Sequence, residues 1–155
     1  MKRLLITLIV VLSGFGLNAN AQSFTVGLNA GLPSLLELRV GYETPEFGVR
    51  ATAAGFVFPS LGLDAYAILP NPWGHWRAGA GVAIVNEAFS GSTFLTPHAL
   101  LGTRFDFGPN LALALEWRPG FPVLLSPGAG NSSRAQSDLL QYMLLSFGLA
   151  LELRF

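Results

Sequence analysis

The sequence predicts an all-β fold, a closed antiparallel up-and-down transmembrane β-barrel of about eight strands. Three observations lead there. Apolar residues recur with a period of two along most of the chain, the mark of strands rather than helices. The 155 residues are 51% hydrophobic and only 12% charged, against about 25% charged in a soluble domain. Beyond the amino-terminus, no run approaches the ~18–20 consecutive apolar residues that a membrane-spanning helix needs. Alternation disperses the hydrophobicity instead.

The first 21 residues form a separate unit. Lys2 and Arg3 precede an apolar core from Leu4 to Leu12, extended through Leu17, and Ala19-Asn20-Ala21 is a small-residue cleavage site. This is the layout of a secretory signal peptide, with cleavage expected before Gln22 and the barrel domain occupying residues 22–155. No cysteine follows, so neither a lipid anchor nor disulfides are expected. Removing Lys2 and Arg3 takes the nine basic residues to seven arginines against nine acids, a formal charge of −2. That balance does not suggest a nucleic-acid partner.

Eight extended segments follow, punctuated by Gly, Pro, Asn and Ser. The first, Ser23–Ala30, alternates Phe24, Val26 and Leu28 with Thr25, Gly27 and Asn29. After the turn 31–34, Leu35–Glu43 sets Leu36, Leu38, Val40 and Tyr42 against Glu37, Arg39, Gly41 and Glu43. Residues 44–47 turn into a third strand, about Gly48–Phe58, with Arg50 on its polar parity. Pro59-Ser60 precedes Leu61–Leu69, which carries Asp64, and the turn 70–74 precedes a fifth strand, about Trp76–Asn86, which carries Arg77. A polar loop, Glu87 to about Thr96, leads to the sixth strand with His98, Arg104 and Asp106. The seventh, Leu111–Arg118 and on towards Leu125, carries Glu116 and Arg118 and is ragged at Pro119 and Pro122. The longest loop, Ser126 to about Asp138, delivers the chain to a closing strand, Tyr142–Phe155. There Met143, Leu145, Phe147, Leu149, Leu151, Leu153 and Phe155 share one parity, and Glu152 and Arg154 lie on the other.

Size and charge decide which face meets lipid. Gly27, Gly41, Gly62, Gly79, Gly81, Gly102 and Gly148 and eleven strand charges (Glu37, Arg39, Arg50, Asp64, Arg77, Arg104, Asp106, Glu116, Arg118, Glu152 and Arg154) share parity with the small residues. An arginine facing lipid at mid-bilayer costs about 2–4 kcal/mol, and an eight-stranded interior is only just filled by side chains. The small and charged set therefore belongs inside as a charge network, with the large apolar set in lipid. Glu152 and Arg154 are expected to reach Arg118 and Glu116, or Arg39 and Glu37. Aromatics gather in two belts suited to two interfaces. Phe24, Tyr42, Phe47, Trp73, Trp76, Phe105, Phe107 and Phe155 lie at the end shared by the termini, and Phe56, Phe58, Phe89, Phe94, Phe121 and Phe147 at the other. The short turns fall on the terminus side, expected to be periplasmic, and the longer loops on the outer side.

With its signal peptide, alternating strands and a last segment ending Leu151-Glu152-Leu153-Arg154-Phe155, the chain resembles the small eight-stranded outer-membrane proteins typified by the membrane domains of OmpA, OmpX and OmpW. The resemblance implies an outer-membrane location. It also implies that Phe147, Leu149, Leu151, Leu153 and Phe155 form a carboxy-terminal signal for the barrel-assembly machinery. Membrane lipid is the expected partner, the chain is expected as a monomer, and the short outer loops argue against adhesion.

Little in the sequence suggests chemistry. His98 is a base candidate for a lipid-modifying enzyme, but a hydroxyl within reach is required; its neighbour along the strand face is Leu100, with Thr96 and residues 90–93 as loop candidates, and a structural histidine is the expectation. His75, beside Trp76, is expected at an interface. Gly79-Ala80-Gly81 lacks the third glycine of a dinucleotide loop, Asn131-Ser132-Ser133 reads as polar loop, and no Cys/His cluster has metal-ligand spacing. Glu116 and Glu152 are expected as ion-pair members rather than as a catalytic acid pair. The sequence therefore favours a non-enzymatic barrel, without cofactor or metal, in an envelope-structural or surface role. A narrow channel or conduit for small hydrophobic molecules is the alternative, suggested by the interior glycines and alanines.

Overall fold

The computed structural model describes residues 23–55 and 58–155. Residues 1–22, which include the expected signal peptide, and Phe56 and Val57 lie outside the described residues. The chain forms β1 (Ser23–Gly31), β2 (Leu35–Glu43), β3 (Phe47–Ala54), β4 (Ser60–Asn71), β5 (Gly74–Asn86), β6 (Thr93–Asp106), β7 (Leu111–Trp117), β8 (Val123–Ser126), α1 (Ser132–Leu144) and β9 (Phe147–Arg154).

All pairings are antiparallel, in the order β5-β4-β3-β2-β1-β9-β7-β6-β8, and β5 also pairs with β6, which closes the sheet into an eight-stranded barrel. Nine strands make eight staves because β7 and β8 share one. β7 pairs with the later half of β6, and β8 with Thr93–Leu95. Pro119 and Pro122 interrupt that stave because proline offers no N–H to the ladder. The link stays alongside β6 through the His98–Gly120 bridge and a bond from Phe121 N to Pro97 O at 3.2 Å. The closing seam runs from Thr25 opposite Arg154 to Gly31 opposite Gly148.

Burial alternates with the sequence parity. Leu28, Leu61, Leu63 and Leu151 point outward and are 53–69% exposed, while Arg77, Arg104 and Glu116 point inward at 1%. Both described termini and the turns at 44–46, 72–73 and 107–110 share one end, the terminus end. The opposite end carries α1.

The helix corrects the expected closing strand. Tyr142–Leu144 is helical, Leu145 is its C-cap, and β9 begins at Phe147. Asn131 caps the N-terminus, its side chain accepting from Arg134 N at 3.1 Å, as an N-cap asparagine does. Ala135, Leu139 and Met143, four residues apart, form one buried stripe as helical geometry requires. The stripe packs on Phe58, Val85 and Phe94 across the barrel mouth. Phe58 and Phe94 are thus interior residues rather than members of an interfacial belt. Smaller corrections concern boundaries: β3 takes in Phe47 and stops at Ala54, and β6 begins at Thr93, so the loop before it shrinks to residues 87–92.

Candidate functional site

The interior between the two ends is filled by charge. Glu116, on β7, receives both terminal nitrogens of Arg50 from β3 at 2.7 and 2.8 Å, and Arg77 from β5 at 3.1 Å. Arg39 Nη1, from β2, lies 2.9 Å from the same carboxylate but off the hydrogen-bonding direction, so that contact is ionic. Arg77 grips Glu152 of β9 with both nitrogens at 2.7 and 2.6 Å and also donates to Glu43 at 2.5 Å. Glu43 further accepts from Arg104 and, at 2.8 Å, from the Tyr66 hydroxyl. Arg104 then contacts Asp106 at 3.0 Å, and Asp106 contacts Arg154 at 3.5 Å.

Towards the helix end, Arg50 Nε donates to Asp64 at 2.8 Å, and Asp64 meets His98 Nε2 at 2.8 Å. Glu37 takes Arg39 Nε at 2.7 Å and Arg118 at 3.0 Å. Six arginines and six carboxylates thus form one connected network, linking β7 to β2, β3 and β5, and β9 to β5, across the interior. Tyr66 stands between Arg50 and Arg77, with guanidinium carbons 5.4 and 5.2 Å from its ring centre, close enough for cation–π attraction.

Glycines make room for these reaches. Asp64, Gly81 and His98 lie side by side on β4, β5 and β6. A Cβ at Gly81 would stand 2.1 Å from Asp64 Oδ1 and 2.6 Å from His98 Nε2, so the contact passes over the bare backbone. Gly102 plays the same part between Arg77 and Glu116, where a Cβ would come within 2.7 Å of Glu116 Cγ. The space those glycines leave is occupied by their neighbours' side chains.

The structure brings together all eleven charged residues singled out in the sequence, but not in the expected pairs. Glu152 meets Arg77 and Arg154 meets Asp106, rather than Arg118 and Glu116 or Arg39 and Glu37. The stagger between staves sets which charges share a level. Glu43 was missed although it lies on the polar parity of β2; it supplies the sixth carboxylate. His75 Nδ1 lies 3.1 Å from Asp106 Oδ2 and 3.0 Å from Arg104 Nη2, joining the terminus-end margin of the network.

Both ring nitrogens of His98 face acceptors, Asp64 at 2.8 Å and the Thr96 carbonyl at 3.2 Å. No hydroxyl is among its hydrogen-bond partners in the described residues. Phe147, Leu149, Leu151 and Leu153, which the resemblance marks as an assembly signal, form the outward face of β9, with Phe155 75% exposed beyond it.

Fold and interior together define a class: a closed eight-stranded antiparallel barrel with a charged interior and an apolar exterior. No protein-family model matches the chain, and no curated protein matches it in sequence.

Proposed function

We propose that this chain is an integral outer-membrane barrel, exported by the signal peptide at residues 1–21, with a non-enzymatic, envelope-structural or surface role. The observation that carries the reading is the inside-out distribution of polarity. Leu, Val, Phe and Trp cover the outer wall, and charged side chains are buried within it. In water such an exterior would be far larger than the apolar patches soluble monomers expose; in lipid it is the required surface, and barrel closure leaves no backbone edge along most of the wall. Exposed Phe24, Phe47, Trp73, Trp76, Phe107 and Phe155 at the terminus end suit one interface.

The cross-linked interior supports a plugged barrel rather than a porin. Opposite staves are joined through Glu116 and Arg77, and buried guanidinium–carboxylate forks are strong, directional contacts. The outward apolar parity of β9, ending at Phe155, is the surface we assign to recognition by the assembly machinery, and the barrel acts as a monomer. Fractionation tests the reading together with heat-modifiable migration. The mature chain should partition with outer membranes and migrate differently unboiled and boiled; a soluble periplasmic fraction without a mobility shift would overturn it.

A further inference from the structure

The wall is not made of strands everywhere. β8 pairs with β6 along one edge, and among the described residues its other edge has no strand partner. β9 reaches only to Phe147, opposite Trp117. Above that level α1 occupies the break.

The helix divides into three stripes. Ala135, Leu139 and Met143 face the interior. Arg134 and Asp138 are largely exposed and lie 3.9 Å apart. The third stripe, Gln136, Leu140 and Leu144, runs along the outer wall. Gln136 Nε2 donates to Pro122 O at 2.9 Å at one end, and Leu144 O accepts from Trp117 Nε1 at 3.0 Å at the other. Trp117 itself stacks on Phe147 with ring centres 5.9 Å apart. Leu140 and Leu144 are exposed, as are Val123, Leu124 and Leu125 of β8. These aliphatic groups continue the apolar outer surface beyond the last strand pair instead of stopping at it.

We infer that α1 is a lipid-contact element: its Leu140–Leu144 stripe, with β8, rests at the boundary between acyl chains and headgroups of the surrounding membrane and completes the wall that strands leave open. The inference rests on the membrane reading above. The partner is the lipid itself, argued from continuity with the apolar exterior. A helix with one apolar side and a charged side lies in an interface for the same reason, and an unpaired strand edge is tolerated near headgroups, where water reaches it, but not in hydrocarbon. The Trp117–Phe147 stack then marks the interfacial level on this side.

The chain contains no cysteine, so single nitroxide labels can be placed cleanly. Leu140→Cys, Leu144→Cys, Arg134→Cys and, as a mid-strand control, Leu151→Cys would be labelled and reconstituted in phospholipid vesicles. Power saturation then compares collision with oxygen, which concentrates in the bilayer, and with a water-soluble nickel chelate. The labels at 140 and 144 should favour oxygen several-fold more than the label at 134, approaching the control. A nickel-dominated response at both 140 and 144 with a lipid-like control overturns the inference and leaves the barrel reading intact. A nickel-dominated control overturns both.

Discussion

The terminus half of the barrel and its helix end are closed by opposite means. In the first, strict alternation sends charges inward and the interior is joined by ion pairs through Glu116, Arg77 and Glu43. In the second, the alternation fails at Pro119 and Pro122, and an apolar layer of Phe58, Val85 and Phe94 is capped by a helix. The difference is one of what each closure tolerates. A buried ion pair has to offset its own desolvation, so it is sensitive to loss of either partner. An apolar cap loses only the area and packing of the side chain removed. The first closure is all-or-none, and the second is graded.

The largest effect is expected from Glu116→Ala, which would leave Arg39, Arg50 and Arg77 facing one another without their common carboxylate. Losing one partner of a buried pair costs about 3–5 kcal/mol, so the unfolding midpoint in urea should fall sharply, with all staves affected together. A loss confined to the helix end would break the contrast. Leu139→Ala should cost about 2–5 kcal/mol, but locally. Hydrogen exchange should quicken along α1 while the β1–β9 seam stays protected; loss of protection at the seam would show that the two closures are not separate.

Gly81→Ala places a methyl where Asp64 and His98 meet, and overpacking of this kind costs about 1–3 kcal/mol. The change should appear in the His98 ring resonances, with those of His75 at the other end unmoved. The smallest effect concerns the turn after β5, outside the barrel wall. Burial pushes the Glu87 carboxyl up, but hydrogen bonds from the Ser90 side chain and from the Phe89 and Ser90 backbone N–H outweigh it and hold the carboxyl below its ordinary range. Because the folded value is depressed, the turn's contribution is present above the ordinary carboxylate pKa and is lost as pH falls through the folded value. A pH titration of the Phe89 and Ser90 amide resonances should show that low midpoint, and Glu87→Gln should abolish it.

The parts that were legible in the sequence follow from parity, because period two is a property of the backbone. Leu28 outward and Asn29 inward needed no tertiary information, nor did the inward placement of Arg77 or Glu116. The helix was misread because Met143 and Leu145 extend the parity of β9 backwards, while the competing spacing of Ala135, Leu139 and Met143 is carried by only three residues. Phe58 and Phe94 were misplaced for a related reason. An aromatic near a strand end looks interfacial until something covers the mouth. The partners of Glu152 and Arg154 could not be read at all, since they depend on stagger summed across several staves. Glu43 was within reach on parity alone, as the last residue on the polar face of its strand, but strand-end position gave no sign that Tyr66, Arg77 and Arg104 converge on it.

We propose that twelve networked charges, nine of them buried and Asp106, Arg118 and Arg154 partly exposed, plug a membrane-spanning barrel, and conductance across planar bilayers tests this most directly. The purified, refolded chain should give little or no steady current over the usual range of voltages. Large, stable, porin-like openings would contradict the plug and the structural role built on it.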